Sequence, residues 1–301
     1  MKNFKIIFLF CLLAVSAKTF AQDSTASLLT MLEKELEQSK EQTIYTTATF
    51  KTTRLINGHS VENTGKGVLD VKISHRFGNI NDGGYELFGL DKATMRFGFD
   101  YGITKNIMIG IGRSTFQKTY DGFVKVKILH QSRGKINMPV SLSYIPAITL
   151  TTLKYDDPGR NSSFSSRLAY THQLIIARKF SEKTSLQLMP TFLHQNLVNL
   201  ASESNNMFAI GIGGRQKISK RVSINAEYYY QLPGTKLNGT TNSLSVGLDI
   251  ETGGHVFQLH FTNSQGMNEK TFIADTKGRW DKGDILFGFN ISRVFTISKN
   301  K

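Results

Sequence analysis

Two sets of side chains in this sequence are placed to do chemistry. The first is charged: Lys72, Arg76, Arg96, Asp100, Lys125, Lys127, Arg215, Glu227 and Asp249 each interrupt a short segment that is otherwise aromatic or β-branched at every second position. Charges on one face of an otherwise apolar strand suit the wall of a wet interior, where they meet small solutes. Lys and Arg lead within this set, so the interior is expected to be mildly basic. The second set is His172 and His194, on the two segments that flank the turn Ser181 to Lys183. If Ile176 opposes Pro190, then His172 opposes His194 with β-carbons about 5 Å apart. Two imidazoles at that spacing could share Zn²⁺ or Cu²⁺, but no carboxylate stands nearby to complete a site, so no metal or other cofactor is assigned.

Nucleophilic chemistry has one candidate, the run His260-Phe261-Thr262-Asn263-Ser264. A serine nucleophile needs its base within hydrogen-bond reach. His260 falls on the polar face of its segment and Ser264 at the start of a loop, so no catalytic residue is assigned and an enzyme is not expected. The glycine clusters Gly110/Gly112 and Gly211/Gly213/Gly214 are followed by neither a helix nor a Lys-Ser/Thr pair, so they do not read as phosphate loops. Within strands they leave room.

The elements that must position these groups are strands. Leu69, Val71, Ile73, His75 and Phe77 share one parity against Asp70, Lys72, Ser74 and Arg76, which is the two-residue period of a strand with one apolar face. The pattern predicts twelve strands at about 67–77, 94–101, 106–114, 123–130, 139–148, 166–180, 184–194, 208–217, 221–231, 243–250, 255–262 and 285–296. Segments near ten residues match a tilted membrane strand, whereas strands of soluble proteins usually have five or six. The connections alternate in length: Tyr101 to Lys105, Ser181 to Lys183, Ser219 to Lys220 and Glu251 to Gly254 are tight. By contrast, Gly78 to Lys92, Asp156 to Ser163, Asn196 to Asn205, Pro233 to Thr241 and Asn263 to Lys282 are long. Short periplasmic turns and long external loops mark an all-β, antiparallel up-and-down transmembrane barrel. Closure also satisfies the backbone, because lipid offers no hydrogen bonds to an open edge.

The N-terminus predicts export. Lys2 and Lys5 precede the apolar run Ile6 to Val15, and Thr19-Phe20-Ala21 ends it with a small residue, so residues 1–21 read as a signal peptide. Cys11 lies inside that run, so the exported chain carries no cysteine and no disulfide. The formal charge is +14, of which Lys2, Lys5 and Lys18 contribute three, leaving +11 on the exported chain. Such a charge would suit nucleic acid, but export argues against it. Spare cations are expected to meet lipopolysaccharide phosphates at the rim or anionic solutes inside.

Residues 22–66 are expected to form a separate periplasmic segment ahead of a barrel at 67–301. Leu28, Leu32 and Leu36 among Glu33, Lys34, Glu35 and Glu37 predict a short amphipathic helix over Ser27 to Gln42. Thr43 to Glu62 is expected to be extended, as a hairpin around Asn57-Gly58 or an inserted plug.

Three stretches, FKTTRLINGHSVE (Phe50 to Glu62), MRFGFDYGITKNIMIGIGRS (Met95 to Ser114) and HQLIIARKFSEKTSLQLMPTFLHQ (His172 to Gln195), resemble an outer-membrane β-barrel family of unknown function from Bacteroidota-type Gram-negative bacteria. The resemblance implies the cell outer membrane, its lipid and lipopolysaccharide, and the barrel-assembly machinery as partners. It brings no catalytic residue. The functional expectation is a narrow, porin-like channel for small, weakly anionic solutes. The alternatives are a structural or partner-binding barrel of an envelope system, and a lipid-face hydrolase resembling outer-membrane phospholipase A.

Overall fold

The computed structural model describes residues 27–35, 42–154, 163–198 and 200–298. The expected signal peptide lies outside these residues. The chain divides into two compact units, residues 1–45 with 132–139, and residues 46–131 with 140–301. In the first, residues 27–35 are helical. Strand β1 (Thr43–Tyr45) pairs antiparallel with β6 (Ser132–Gly134), Ile44 opposite Arg133. Leu28, Leu29, Met31 and Leu32 are exposed on that helix.

The second unit is a closed antiparallel barrel of twelve strands. They are β2 (Val68–Asn79), β3 (Ala93–Gly102), β4 (Ile107–Ser114), β5 (Thr119–Leu129), β7 (Ser141–Thr151), β8 (Leu168–Lys179), β9 (Thr184–Gln195), β10 (Asn206–Lys217), β11 (Val222–Gln231), β12 (Ser243–Thr252), β13 (His255–Thr262) and β14 (Leu286–Thr296). Each pairs with its neighbour in sequence, and β14 closes on β2 with Ile291 opposite Ile73. At the seam the Gly67 carbonyl accepts from the amides of Ile297 (2.9 Å) and Ser298 (3.1 Å).

Alternation along each strand sets its two faces. Asp70, Lys72, Ser74 and Arg76 are buried inside, while Ile111, Phe97, Ile212 and Phe261 are among the exposed apolar side chains of the outer wall. In water that belt would be costly, and in lipid it is matched to its surroundings. Three tight turns share one device. Thr104, Ser181 and Ser219 each accept, through the side-chain hydroxyl, the backbone N–H groups two and three residues on. A hydroxyl that caps its own turn shortens the connection and fixes register.

Several boundaries depart from the sequence reading by two to four residues, and two of them have a local cause. Strand β5 begins at Thr119, not Phe123, because Tyr120, with Asp121 turned inward, continues the alternation opposite Leu150 and Thr149. The β4–β5 connection is therefore brief, although it lies at the end with the long loops. Strand β8 begins at Leu168, because Ser165–Arg167 form a 3₁₀ turn.

Two segments enter the barrel from opposite ends. Residues 49–61 run through the interior, with Phe50, Leu55, Ile56 and Val61 each at most 2 % exposed. The connection between β13 and β14 folds inward at residues 264–276, where Lys270–Ala274 form one π-helical turn with Phe272, Ile273 and Ala274 fully buried. The middle of a lumen that would otherwise hold water is filled by protein, and cavities of about 520 Å³ and about 550 Å³ remain at its two ends.

Candidate functional site in the barrel interior

The inserted segment makes its own hairpin. Leu55 N–H donates to Gly58 O (2.8 Å), Ser60 N–H to Thr53 O (3.0 Å), and Arg54 bridges to His59. So short a hairpin leaves much of its backbone unpaired, and burial of unpaired amides and carbonyls is costly. The barrel wall meets that need with its charges. On β11 the Glu227 carboxylate accepts the amides of Asn57 (2.7 Å), Gly58 (3.1 Å) and Ile56 (3.3 Å). On β5 the Lys125 ammonium donates to the carbonyls of Ser60 (2.9 Å), Glu62 (2.9 Å) and Thr53 (3.0 Å). One carboxylate takes three donors and one ammonium takes three acceptors.

The other charges of the wall are also engaged. Arg76 donates to Asn57 Oδ1 (2.7 Å) and Asn290 Oδ1 (3.0 Å). Asp100 accepts from Thr53 Oγ1 (2.9 Å) and Lys72 Nζ (2.7 Å), and Lys72 also pairs with Asp70. Arg215 donates to the carbonyls of Ala48 (3.2 Å) and Thr49 (3.4 Å). Asp249 accepts from Gln258 (2.9 Å), whose amide also reaches Leu55 O (2.7 Å). Arg96 forms a two-pronged pair with Asp121. Lys127 is half-buried and stands outside this set of contacts.

Where the two inserted segments meet, Arg54 Nη1 donates to Glu269 Oε1 (2.8 Å) and to Asn57 O (2.7 Å). Arg54 Nη2 lies 3.3 Å from His59 Nε2. All four residues are at most 5 % exposed. Burial, with the Arg54 guanidinium and Lys125 ammonium close by, pushes the His59 imidazole well below its ordinary range, so the ring is neutral and accepts from Arg54. Apolar contact completes the junction: the Tyr229 and Phe272 rings meet edge to face at 5.0 Å.

Glycines make this packing possible at two places. A β-carbon on Gly213 would run into Leu55 of the inserted segment, and one on Gly112 would run into the Arg96 guanidinium. Arg54, Asn57, His59, Asp121 and Glu269 were not singled out by sequence reasoning. The Asn57-Gly58 turn signal and the resemblance over Phe50 to Glu62 pointed to the stretch that holds the first three, not to their roles. Glu269 lies in a loop that no periodicity marks.

The histidine register differs from expectation. His172 opposes Phe192 and His194 opposes Tyr170, since Ile176 pairs with Leu188 and not with Pro190. The capped turn at Ser181 sets the strands two residues away from the expected pairing. The rings then bond elsewhere, His172 Nδ1 to the Tyr144 hydroxyl and His194 Nδ1 to Asn206 Oδ1, each at 2.7 Å. Among the described residues no cluster of three metal-ligating side chains occurs. Ser264 is buried with its hydroxyl 3.4 Å from Gly266 O, and both ring nitrogens of His260 lack a hydrogen-bond partner, so the two do not form a nucleophile–base pair.

A profile described as a membrane bound beta barrel domain matches residues 50–295. The chain belongs to that family. The match begins within the inserted segment, so the membrane bound beta barrel domain takes in the hairpin as well as the wall. The protein is a β-barrel of the outer membrane. Among curated proteins, none matches the sequence. Among solved structures, the NanC porin aligns over 75 % of this chain and 98 % of its own, at 9 % identity and a TM-score of 0.47. The KdgM porin aligns over 76 % and 99 %, at 11 % identity and 0.43. Omp33 of Acinetobacter baumannii aligns over 75 % and 97 %, at 7 % identity and 0.40.

Proposed function

We propose that this protein is a gated channel for small polar solutes, with its long loops outside the cell and the segment 49–61 as the gate. The observation that carries this reading is the Arg54–Glu269 pair, which ties the inserted segment to the inward loop in mid-lumen. A permanently filled core would be expected to be mainly apolar, since apolar replacements of buried ion pairs are commonly neutral or stabilising. This interface is instead held by Glu227, Lys125, Arg76, Asp100 and Arg215, groups that water can satisfy when the segment leaves. Twelve strands enclose room for a narrow pore once it is vacated.

Weak anion preference follows from Lys72, Arg76, Lys125, Lys127 and Arg215 against Asp70, Asp100, Glu227 and Asp249 in the wall. Departure of the segment would also free Glu269 and Glu251, now paired with Arg54 and Lys51, so discrimination by charge is slight. Planar-bilayer recording tests the reading. The intact protein is expected to be silent for long periods with brief openings, and Arg54→Gln to open more often. Equal, unbroken silence of both proteins would refute a channel.

The exposed Leu28, Leu29, Met31 and Leu32 favour a second reading, an envelope protein that binds a periplasmic partner through its N-terminal helix. Cross-linking from position 31 in intact cells separates the two, because a channel needs no adduct there. In either reading the barrel-assembly machinery inserts the protein, and lipopolysaccharide phosphates meet its rim cations.

A further inference from the structure

The outer wall contains a feature that the interior does not explain. A groove of about 500 Å³ runs over β7 to β10, with Leu174, Pro190, Phe192, Phe208 and Ile210 as its apolar floor and sides. Its polar landmark is His172, which belongs to the same lining.

The depth of this groove follows from strand geometry. Outward-facing residues on β8 to β10 form rows, from Thr184 and Gln216 at the short-turn end to His194 and Asn206 at the long-loop end. Each row rises about 5 Å along the membrane normal for a strand tilted near 40°. Five such steps span about 25 Å, the height of a barrel's apolar band. His172 shares its row with Phe192 and Phe208, one step inside the polar row. That is the level at which acyl chains join their headgroups.

His172 Nδ1 lies 2.7 Å from the Tyr144 hydroxyl; the tautomer in which that hydroxyl donates leaves the ring N–H on Nε2. Among the described residues Nε2 has no hydrogen-bond partner, and the ring faces the lipid side of the wall. An ionisable side chain on the lipid side of a membrane wall calls for a partner. The groove beside it lies open to hydrocarbon, where only an acyl chain can fill it.

We propose that this groove is a lipopolysaccharide site, in which one acyl chain of lipid A lies along Leu174, Pro190 and Ile210 and its ester carbonyl accepts from His172 Nε2. The assignment rests on the orientation proposed above, which puts the long-loop end in the outer leaflet.

Native mass spectrometry of the detergent-solubilised full-length protein, titrated with purified lipid A or with phosphatidylethanolamine, tests it. One lipid A is expected to bind the wild type in preference to phosphatidylethanolamine. His172→Leu should weaken binding about fivefold, the scale of one lost hydrogen bond. Ile210→Trp, which fills the groove from a lipid-facing position, should abolish it, and Leu248→Trp, outside the groove on β12 and nearer the short-turn end, should leave it unchanged. Retained heat-modifiable gel mobility shows that each variant is folded. Lipid A binding indifferent to both His172→Leu and Ile210→Trp would overturn the site. Preference for phosphatidylethanolamine, still lost in these variants, would overturn the occupant and place the groove in the other leaflet.

Discussion

Arg54 and Glu269, 215 positions apart in the chain, hold each other at 2.8 Å in the middle of the barrel. One rides on the segment that enters from the short-turn end and the other on the loop that folds in from the opposite end. With residue exposures of 5 % and 3 %, neither has water to fall back on. The pair is therefore worth most as a latch that fixes where the two segments meet.

Removing one partner should cost more than removing both. Arg54→Gln leaves the Glu269 carboxylate buried and unpaired and is expected to weaken closure by about 3 kcal/mol. The double variant Arg54→Gln with Glu269→Gln should recover more than half of that loss. Hydrogen exchange across residues 50–62 in the wild type, Arg54→Gln, Glu269→Gln and the double variant measures the coupling, and strictly additive effects would show that the latch is not one.

Glu227 and Lys125 grip the hairpin through its backbone, so their loss should release the segment without harm to the wall. Glu227→Gln keeps the shape but weakens three charge-assisted acceptances from Ile56, Asn57 and Gly58. A loss of about 2 kcal/mol in local protection is expected at those amides. Protection of strand amides on β8 and β9 should be unchanged. Equal loss at both places would mean that Glu227 supports the barrel itself.

Closure should weaken in acid through His59. Its imidazole is held well below the ordinary value of 6.5 by burial, then by Arg54, with Lys125, Arg96 and Lys72 adding to the same effect and Glu269 the nearest carboxylate. A released segment would carry an ordinary histidine, which takes up a proton that the closed state refuses. The stability of closure is thus fully present above about pH 6.5 and declines as the pH falls below it. Exchange of residues 50–62, corrected for its intrinsic pH dependence, should speed up between pH 7.5 and 5.5 in the wild type and much less in His59→Asn.

Gly213→Val should favour the open state by occupying the space that Leu55 now fills. The wall tolerates valine, a good strand former, so heat-modifiable mobility should persist while channel openings lengthen. A variant that stays closed and fully protected would show that Leu55 can move aside within the closed lumen.

Much of this was decided locally. A barrel strand must alternate, because successive side chains face opposite sides of the wall, and so Leu69 to Phe77 or Ser243 to Ile250 announced both a strand and its two faces. The tight turns at Tyr101 to Lys105, Ser181 to Lys183 and Ser219 to Lys220 were legible for the same reason, since each involves only a few consecutive residues, whereas their capping hydroxyls were seen only in the structure. The Asn57-Gly58 hairpin was visible as a turn, but a turn does not say where it will be housed.

The tertiary structure alone decided that housing. No sequence period links Arg54 to Glu269, or Lys125 to the carbonyls of Thr53, Ser60 and Glu62, because these contacts join inserted segments to each other or to the wall and not the two strands of a pair. Register was lost in the same way: a capped turn with a different loop geometry moved His172 from His194 to Phe192, and a strand pattern with period two is unchanged by a slip of two. The sequence by itself thus determined a closed wall with a charged inner face. Only folding decided that those charges would hold the chain's own backbone, because an unpaired amide or carbonyl brought inside a membrane barrel must find a partner there.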